Sequence, residues 1–517
     1  MTKQSFLKGT FILIIAGMIT KILGFVNKMV VARIIGEEGI GLYMMAYPTL
    51  MLTVTLTQLG LPVAISKMVA EADALNDRKK IKKILTVSFL TVGILSIIFT
   101  AVMVILAPLL AKTVFTDPRT IYPLLAIAPI VPIVAVASVL RGYFQGLQDM
   151  KPYAYSQVIE QVVRISLVAF LTTTLLPYGI EYAAGGTMIS GVIGEFISLL
   201  YMISMFKRRK RVKIRKDFWG FLHNGKQTFK QLMNIALPTT GSRLIGSISY
   251  FLEPIIISHS LYLAGVSTIV ATKQYGELEG FAIPLLILPS FITFALQTSL
   301  VPTISEAQAT HNIETIHYRL NQALKIAMIT GGISIVVSYV FAEPLMTLMY
   351  HSPGSAVYIY VMGPFFFLFY FQGPLQAVLQ ALDLANAALI NSFIGAAVKL
   401  LTIFALASRP ELGIIGAALG FVASVVLVTL LHLATVIKKV GFSLVLKDYV
   451  KGIFSIIITG CFANFLMKHF LLDWGLLPRT MTLIVITVIF YFIVIRATRL
   501  LKKEELSSFP IIGKWVV

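Results

Sequence analysis

One cysteine, Cys461, stands in 517 residues. The chain therefore has no intramolecular disulfide framework and no cysteine-based metal site open to it. Histidine is also scarce: there are seven, and His311 and His317, six apart, match no common zinc spacing. Charge is thin. Asp, Glu, Lys and Arg make up 13% of the chain, where soluble domains carry about 25%. Acids are the scarcer half, 23 against 43 Lys and Arg, for a formal net charge of +20. No glycine-rich phosphate loop of the nucleotide-binding type occurs, which argues against direct ATP drive. No paired-acid motif sits on a sizeable outer loop, which argues against a membrane glycosyltransferase. Neither a cofactor nor a metal is expected, and nothing in the chain marks it as an enzyme.

What the chain does have is apolar length. Hydrophobic residues make up 57% of it, and the mean hydropathy is +0.87. About fourteen runs are long enough to span a bilayer at roughly 20 residues each. They lie near 11–34, 43–68, 85–110, 121–142, 155–176, 183–206, 231–258, 278–302, 323–347, 358–381, 388–407, 412–437, 450–469 and 478–497. The first run continues well past a signal-peptide core and shows no small-residue cleavage site, so it is expected to be retained. The +20 charge would suit nucleic acid, but its distribution does not. Basic clusters such as Arg78–Lys83, Lys207–Lys216 and Lys438–Lys451 follow even-numbered runs, and the loops between are poor in Lys and Arg. That is the positive-inside pattern. It predicts a multi-pass protein of the cell membrane with both termini cytoplasmic, in contact with membrane lipids and not with nucleic acid.

The first run breaks its own rule. It carries Lys21, Asn27, Lys28 and Arg33, closed by the loop Gly36-Glu-Glu-Gly39. On a helix, Gly17, Lys21, Gly24 and Lys28 fall within about 60° of one another. One side is therefore small and cationic. A Lys or Arg near the bilayer centre costs about 2.5–3.5 kcal/mol on insertion scales, so such residues persist most easily facing a water-filled cavity. A plainer account has Lys21 snorkelling while Lys28 and Arg33 mark a helix end.

The chain also repeats itself. Leu140-(x4)-Gln145-Gly-Leu147 returns as Leu375-(x4)-Gln380-Ala-Leu382, 235 positions later. Val163-Arg164-Ile165 returns as Val398-Lys399-Leu400 at the same offset, and Gly179-Ile-Glu-Tyr-Ala-Ala184 as Gly413-Ile-Ile-Gly-Ala-Ala418 at 234. Leu61-Pro-Val-Ala-Ile-Ser66 matches Val301-Pro-Thr-Ile-Ser305 in the same order. Six spans per unit make the repeats parallel, and such repeats place a substrate site between halves near the midplane. Three segments follow: an N-terminal six-helix bundle over 1–215, a C-terminal one over 216–440, and two additional transmembrane helices with a cytoplasmic tail over 441–517.

Two six-helix bundles with prolines at matching places resemble the multidrug/oligosaccharidyl-lipid/polysaccharide exporter superfamily, an all-α membrane fold. The string Lys21-Ile-Leu-Gly-Phe25 with Ala32-Arg33 and Gly36 resembles its branch of lipid II and polysaccharide-unit flippases. Phe6-Leu-Lys-Gly9, Ile35–Tyr43, Gly60–Ser66, Leu140–Gly146 and Tyr178–Ala184 are similar to sporulation members of that branch. The resemblance covers essentially the whole chain. It implies a transporter that moves a lipid-linked saccharide of the undecaprenyl diphosphate type outward by alternating access through a cationic cavity. For the sporulation members it implies a peptidoglycan precursor for spore cortex, with a peptidoglycan polymerase downstream. Lys21 and Arg33 match basic positions of the flippases' first helix. Asn27 stands where a second basic residue is usual, and Lys28, one step on, points about 100° away. The extra helices imply a groove for the lipid tail.

Other charges at membrane depth complete the candidate set. Arg164 lies four residues after Glu160 and is read either as an internal ion pair or as a cavity cation. Lys399 is its repeat counterpart. Arg243, in the seventh run, is the cation expected opposite Lys21. Glu160, Glu195 and Glu253 are the candidate ion-coupling carboxylates, since acids inside membranes commonly serve that role. Arg141 reads as a cytoplasmic helix end, the run Phe365–Tyr370 as lipid-facing, and Phe509–Trp515 as an interfacial anchor. The alternative function is an ion-coupled multidrug exporter of the same fold. A drug or cation exporter calls for an acidic cavity, and the first span is basic.

Overall fold

A break in the first helix sets the path of everything that follows. α1 runs Lys3–Gln58 and leaves helical geometry only at Gly36, with φ 65° and ψ −166°. That region is essentially open to glycine alone. Where the sequence suggested a short loop over Gly36–Gly39, one residue makes the bend and the helix resumes at once. α2 (Leu61–Ala74) follows from Gly60. The apolar stretch Ile15–Ala74 covers 60 residues, roughly 90 Å at 1.5 Å per residue, three times the thickness of a hydrocarbon core of about 30 Å.

The computed structural model describes residues 3–208 and 225–500, with side chains from residue 15 onward except at 238, 242, 295 and 298. Most of the basic run Lys207–Lys216 and the tail Phe509–Trp515 lie outside the described residues. Among the described residues every element is helical. After α2 come α3 (Arg78–Leu109), α4 (Ile121–Ile127), α5 (Ile130–Gly146), α6 (Lys151–Leu175), α7 (Ile180–Arg208), α8 (Lys226–Leu263) and α9 (Thr268–Tyr275). The Asp77 side chain caps α3 by accepting from Lys80 N at 2.9 Å. Beyond its basic start, Arg78–Lys83, α3 is largely apolar on every side. Ile84, Leu85 and Met103 are buried, while Ile97 and Ile105 are more than two-thirds exposed. A helix of that kind has one face for the protein and one for lipid.

Two compact units result. The first comprises residues 1–280 with 403–416, the second 281–402 with 417 onward. In the first, α6 packs along α7 and α1, and α1 also meets α8 and α9. Polar ties fasten α1 near its break: Lys273 Nζ lies 2.7 Å from Glu37 Oε2. Thr272 Oγ1 donates to Asp117 Oδ2 at 2.8 Å, and Arg119 holds both Asp117 and Glu38.

In the second unit come α10 (Ile283–Ile287), α11 (Phe291–Ala309), α12 (Ile313–Val340), α13 (Ala342–Tyr350), α14 (Ala356–Phe366) and α15 (Phe369–Ala381). Then follow α16 (Ala385–Ala407) and α17 (Ile414–Val440), of which residues 403–416 count with the first unit, and α18 (Leu446–His469) and α19 (Leu476–Ala497). The last two, expected as an appendage, pack on α12. Lys325 Nζ pairs with Asp448 Oδ2 at 2.6 Å, and Tyr491 Oη donates to Ile329 O at 3.0 Å. The aromatic run Phe365–Tyr370 is not uniformly lipid-facing. Phe365 is exposed, but Phe366 and Tyr370 are buried, and Tyr370 Oη donates to Leu286 O at 2.8 Å. A helical run cannot present six consecutive residues to one side, so part of it turns inward.

Twelve helices among the described residues are long and apolar enough to cross a membrane, thirteen when the bent pair Pro353–Phe366 and Phe369–Ala381 is counted as one span.

Candidate substrate cavity

In the first unit, several of the charges that the sequence puts at membrane depth meet around a cavity of about 300 Å³. α1 contributes Asn27, Tyr43, Tyr47 and Gln58, α5 Arg141, α6 Glu160, Gln161 and Arg164, and α7 Thr187 and Glu195.

Glu160 and Arg164 are one turn apart, which places them on the same face of α6. Arg164 Nη2 donates to Glu160 Oε1 at 2.6 Å. Arg141 Nη2 reaches from α5 to donate to Glu195 Oε1 on α7, and its guanidinium lies 5.6 Å above the Tyr153 ring. The helices come this close because α7 lacks a side chain where they touch. A Cβ on Gly194 would stand 2.9 Å from Glu160 O, and one on Gly191 3.4 Å from Arg164 Nη2. Two cations and two carboxylates thus balance on the wall. Removing one partner of such a buried pair costs about 3–5 kcal/mol, because the other charge is left in low dielectric.

The rest of the lining is uncharged and mixes polar side chains with apolar ones such as Leu50, Val54, Ile127 and Met188. Tyr43 and Tyr47 stack, with centroids 5.8 Å apart and planes at 27°. Four buried atoms of the lining have no hydrogen-bond partner: Asn27 Oδ1, Gln161 Oε1, Arg141 Nε and Arg164 Nε. Each such atom costs about 1–3 kcal/mol when left unmatched.

The structure thus brings together Asn27, Glu160, Arg164 and Glu195. It leaves Lys21, Lys28 and Arg33 off this wall. Lys21 and Arg33 are exposed and Lys28 half-buried, all before the break in α1. A Cβ on Gly24 would lie 3.9 Å from Gln161 Oε1, so that side of α1 turns toward α6. On α8, Arg243 is exposed and Glu253 buried. Lys399 lies on α16 in the second unit, its Nζ 4.9 Å above the Phe421 ring.

Sequence reasoning missed Arg141, Gln161 and the two tyrosines. Arg141 looked like a helix end because the apolar run stops at 142. α5 continues to Gly146, which carries Arg141 inside. The available signal was Glu195, a membrane-depth acid with no cation near it in its own span.

Apolar spanning helices that enclose a charged, internally balanced cavity define a polytopic membrane transporter. The family profile described as Polysaccharide biosynthesis protein matches residues 6–308, and that described as MatE matches 279–404. The chain belongs to the polysaccharide biosynthesis protein family of the multidrug/oligosaccharidyl-lipid/polysaccharide exporter superfamily. It is 56% identical over 517 residues to stage V sporulation protein B of Bacillus subtilis (strain 168), covering 100% of both chains. It is 24% identical over 439 residues to the lipid II flippase MurJ of the same organism, covering 81% of this chain and 80% of that one. Among solved structures, lipid II flippase MurJ in an inward closed conformation superposes with a TM-score of 0.69 at 17% identity. That match covers 93% of this chain and 98% of the other and shows a shared fold. The sequence resemblance is thereby membership, and the all-α MATE-like membrane fold stands.

Proposed function

We propose that this chain is a flippase that carries a lipid-linked saccharide, a peptidoglycan precursor for spore cortex synthesis, across the cell membrane by alternating access. The observation that carries this reading is the cationic side of α1. Lys21, Lys28 and Arg33 sit in an otherwise apolar spanning segment, in a chain similar to a lipid II flippase over 81% of its length. A diphosphate headgroup needs cations to leave water, and Lys serves as a point charge for phosphate. The polyprenyl tail needs only lipid. Lys21, Lys28 and Arg33 with Arg243 and Lys399 are the proposed phosphate-facing cations, and Asn27 and Arg164 the polar cavity contacts. Glu160, Glu195 and Glu253 are the proposed ion-coupling carboxylates, the first two of them facing guanidinium groups.

The architecture proposed with it has fourteen spans, counting Ile15–Ala74 as two crossings and the bent pair as one. It has parallel repeats over 1–215 and 216–440, and a third segment over 441–517 that guides the lipid tail. Both termini are cytoplasmic, and a peptidoglycan polymerase consumes the product outside. A multidrug exporter on this fold is the second reading. Against it stands the wall itself, where each of the two carboxylates meets an arginine and none is left over for a cationic drug.

The test is lipid II translocation in cells depleted of other flippases, read by an external reagent that reaches only the outer leaflet. Wild type is expected to expose lipid II and Lys21→Ala, at equal membrane abundance, to expose none. A wild-type protein that is folded in the membrane and moves no lipid-linked saccharide overturns the proposal.

A further inference from the structure

A second hollow in the first unit lies apart from the charged cavity, in the seam between α3 and α8. The geometry points to a site there for an anionic phospholipid, its acyl chain along the apolar wall and its phosphate between Lys83 and Lys226. This goes beyond the flippase reading and does not depend on it. On the orientation proposed above, the leaflet concerned is the cytoplasmic one.

Shape is the first argument. The hollow measures about 520 Å³, and its lining includes Val87, Leu90, Thr91 and Ile94 of α3 with Lys226 and Phe229 of α8. Val87 is buried and packs in one cluster with Ile84, Leu85, Leu232 and Ala236, so the floor of the hollow is the α3–α8 seam itself. Leu90, Ile94 and Phe229 are exposed and form its walls. Positions 83, 87, 90, 91 and 94 share one face of a helix. From Lys83 to Ile94 that face rises about 16 Å at 1.5 Å per residue, close to one leaflet, about half of a 30 Å hydrocarbon core.

The nature of the wall decides what fills it. Thr91 is the uncharged polar side chain of the lining, and its Oγ1 donates to Val87 O at 2.9 Å within its own helix. Water among these side chains would find too few partners to stay. An empty space would lose dispersion contacts along both helices. Hydrocarbon meets neither objection. A helix with its side chains is about 10–12 Å across, so an equal length of partner helix takes up more room than the hollow offers, and a single chain does not.

Charge decides which lipid enters. Tails are as apolar as leucine, so a chain gains little by exchanging bulk lipid for the hollow. Selection comes from the rim. Lys83, half-buried, stands one turn before Val87 on the same face of α3. Lys226, exposed, opens α8 three residues before Phe229. Neither helix has an acid in its first turn, and Asp77, just before α3, is committed to Lys80 N at 2.9 Å. Gly225 lines the hollow at the start of α8 and has no side chain with which to cap it, so the positive end of that helix also faces the rim. A phosphate there meets two ammonium groups and a helix N-terminus. A zwitterionic headgroup brings an ammonium of its own and is disfavoured beside them.

The experiment titrates the full chain in detergent with dioleoyl phosphatidylglycerol and, separately, dioleoyl phosphatidylcholine, counting bound lipid by native mass spectrometry, with inorganic phosphate as competitor. Wild type is expected to hold a first phosphatidylglycerol more tightly than any phosphatidylcholine, and phosphate is expected not to displace it. The affinity for that lipid is expected to fall about fivefold in Lys83→Ala and about fivefold in Lys226→Ala, each the effect of one basic residue near a headgroup. Ile94→Trp fills the hollow with its own ring and is expected to lose the preference for phosphatidylglycerol. Ile105→Trp, at a more exposed site on the same helix about 16 Å further along, is expected to keep it. Equal affinities for the two lipids overturn the proposal, as do both lysine variants binding phosphatidylglycerol like wild type. Displacement by inorganic phosphate makes the rim an ion site with no chain beneath it and overturns it too, as does an Ile94→Trp protein that keeps the preference. The flippase reading fails separately: a protein that shows this lipid pattern and moves no lipid-linked saccharide keeps the phospholipid site and loses the transport.

Discussion

Arg164 donates through Nη2 to Glu160 at 2.6 Å, one turn back on α6, while its own Nε stands unmatched beside the cavity. The same side chain is thus both half of a structural pair and part of the polar wall. Removing only the arginine strands a buried carboxylate, whereas removing both charges strands nothing. Arg164→Leu is therefore expected to destabilise the purified protein by about 3–5 kcal/mol, and Glu160→Leu with Arg164→Leu by clearly less than Arg164→Leu alone. Thermal unfolding in detergent by fluorescence-detected size exclusion measures both. Equal losses in the single and double variants would mean that Arg164 matters through something other than Glu160.

Gly36 is the hinge of α1, and its φ of 65° with ψ of −166° lies where a Cβ is not tolerated. A Cβ there would meet no neighbour within 4 Å, so crowding is not the obstacle and the cost is conformational. Gly36→Ala is expected to cost about 1–3 kcal/mol or to straighten α1 and pull Glu37 off Lys273. Replacing Gly36 with D-alanine by semisynthesis, which accepts positive φ, is expected to restore the wild-type melting temperature. An unchanged melting temperature in Gly36→Ala would show that the bend is soft.

Much of this molecule was readable from the chain alone, for a physical reason. Crossing a bilayer demands about 20 apolar residues in helical form, so span positions show in hydropathy without any packing information. Family membership was equally legible, because Lys21, Arg33 and Gly36 are improbable inside an apolar run. Side-chain partnerships were not. Glu160 and Arg164 could be paired because a single helix fixes their spacing, but Arg141 and Glu195 sit 54 positions apart. Nothing local announces that α5 and α7 deliver them to one point. The single-residue break at Gly36 was hidden for a related reason. A glycine followed by two acids reads as a loop, and the helix continues because Glu37 and Glu38 find Lys273 and Arg119.

The cationic side of α1 makes a prediction about charge rather than shape. Lys offers phosphate a compact point charge and Arg a planar fork, and both bind it. Lys21→Arg is expected to retain at least half of wild-type lipid II translocation, Lys21→Gln less than a tenth, with equal membrane abundance by immunoblot. If Lys21→Gln transports normally, the lysine snorkels to the headgroups, and the phosphate contact lies elsewhere on the protein.

In the last described helix, Tyr491 of α19 packs against α12 without slack. Tyr491 is fully buried and donates to Ile329 O at 3.0 Å. A Cβ added to Gly332 would lie 2.7 Å from Tyr491 Oη and 2.8 Å from Ile456 Cδ1. Tyr491→Phe loses one buried hydrogen bond, about 1 kcal/mol. Gly332→Ala collides with both neighbours, an overpacking cost of about 1–3 kcal/mol. The two are not independent, because deleting the hydroxyl removes one of the atoms that the new methyl strikes. The double variant is therefore expected to be less destabilised than the sum of the singles by at least about 0.5 kcal/mol, with the residue of the clash owed to Ile456. Melting temperatures of the four proteins in one detergent close the cycle. Strict additivity would mean that α19 yields as a rigid body when Gly332 gains its methyl, and that the tyrosine hydroxyl does not set the distance between these helices.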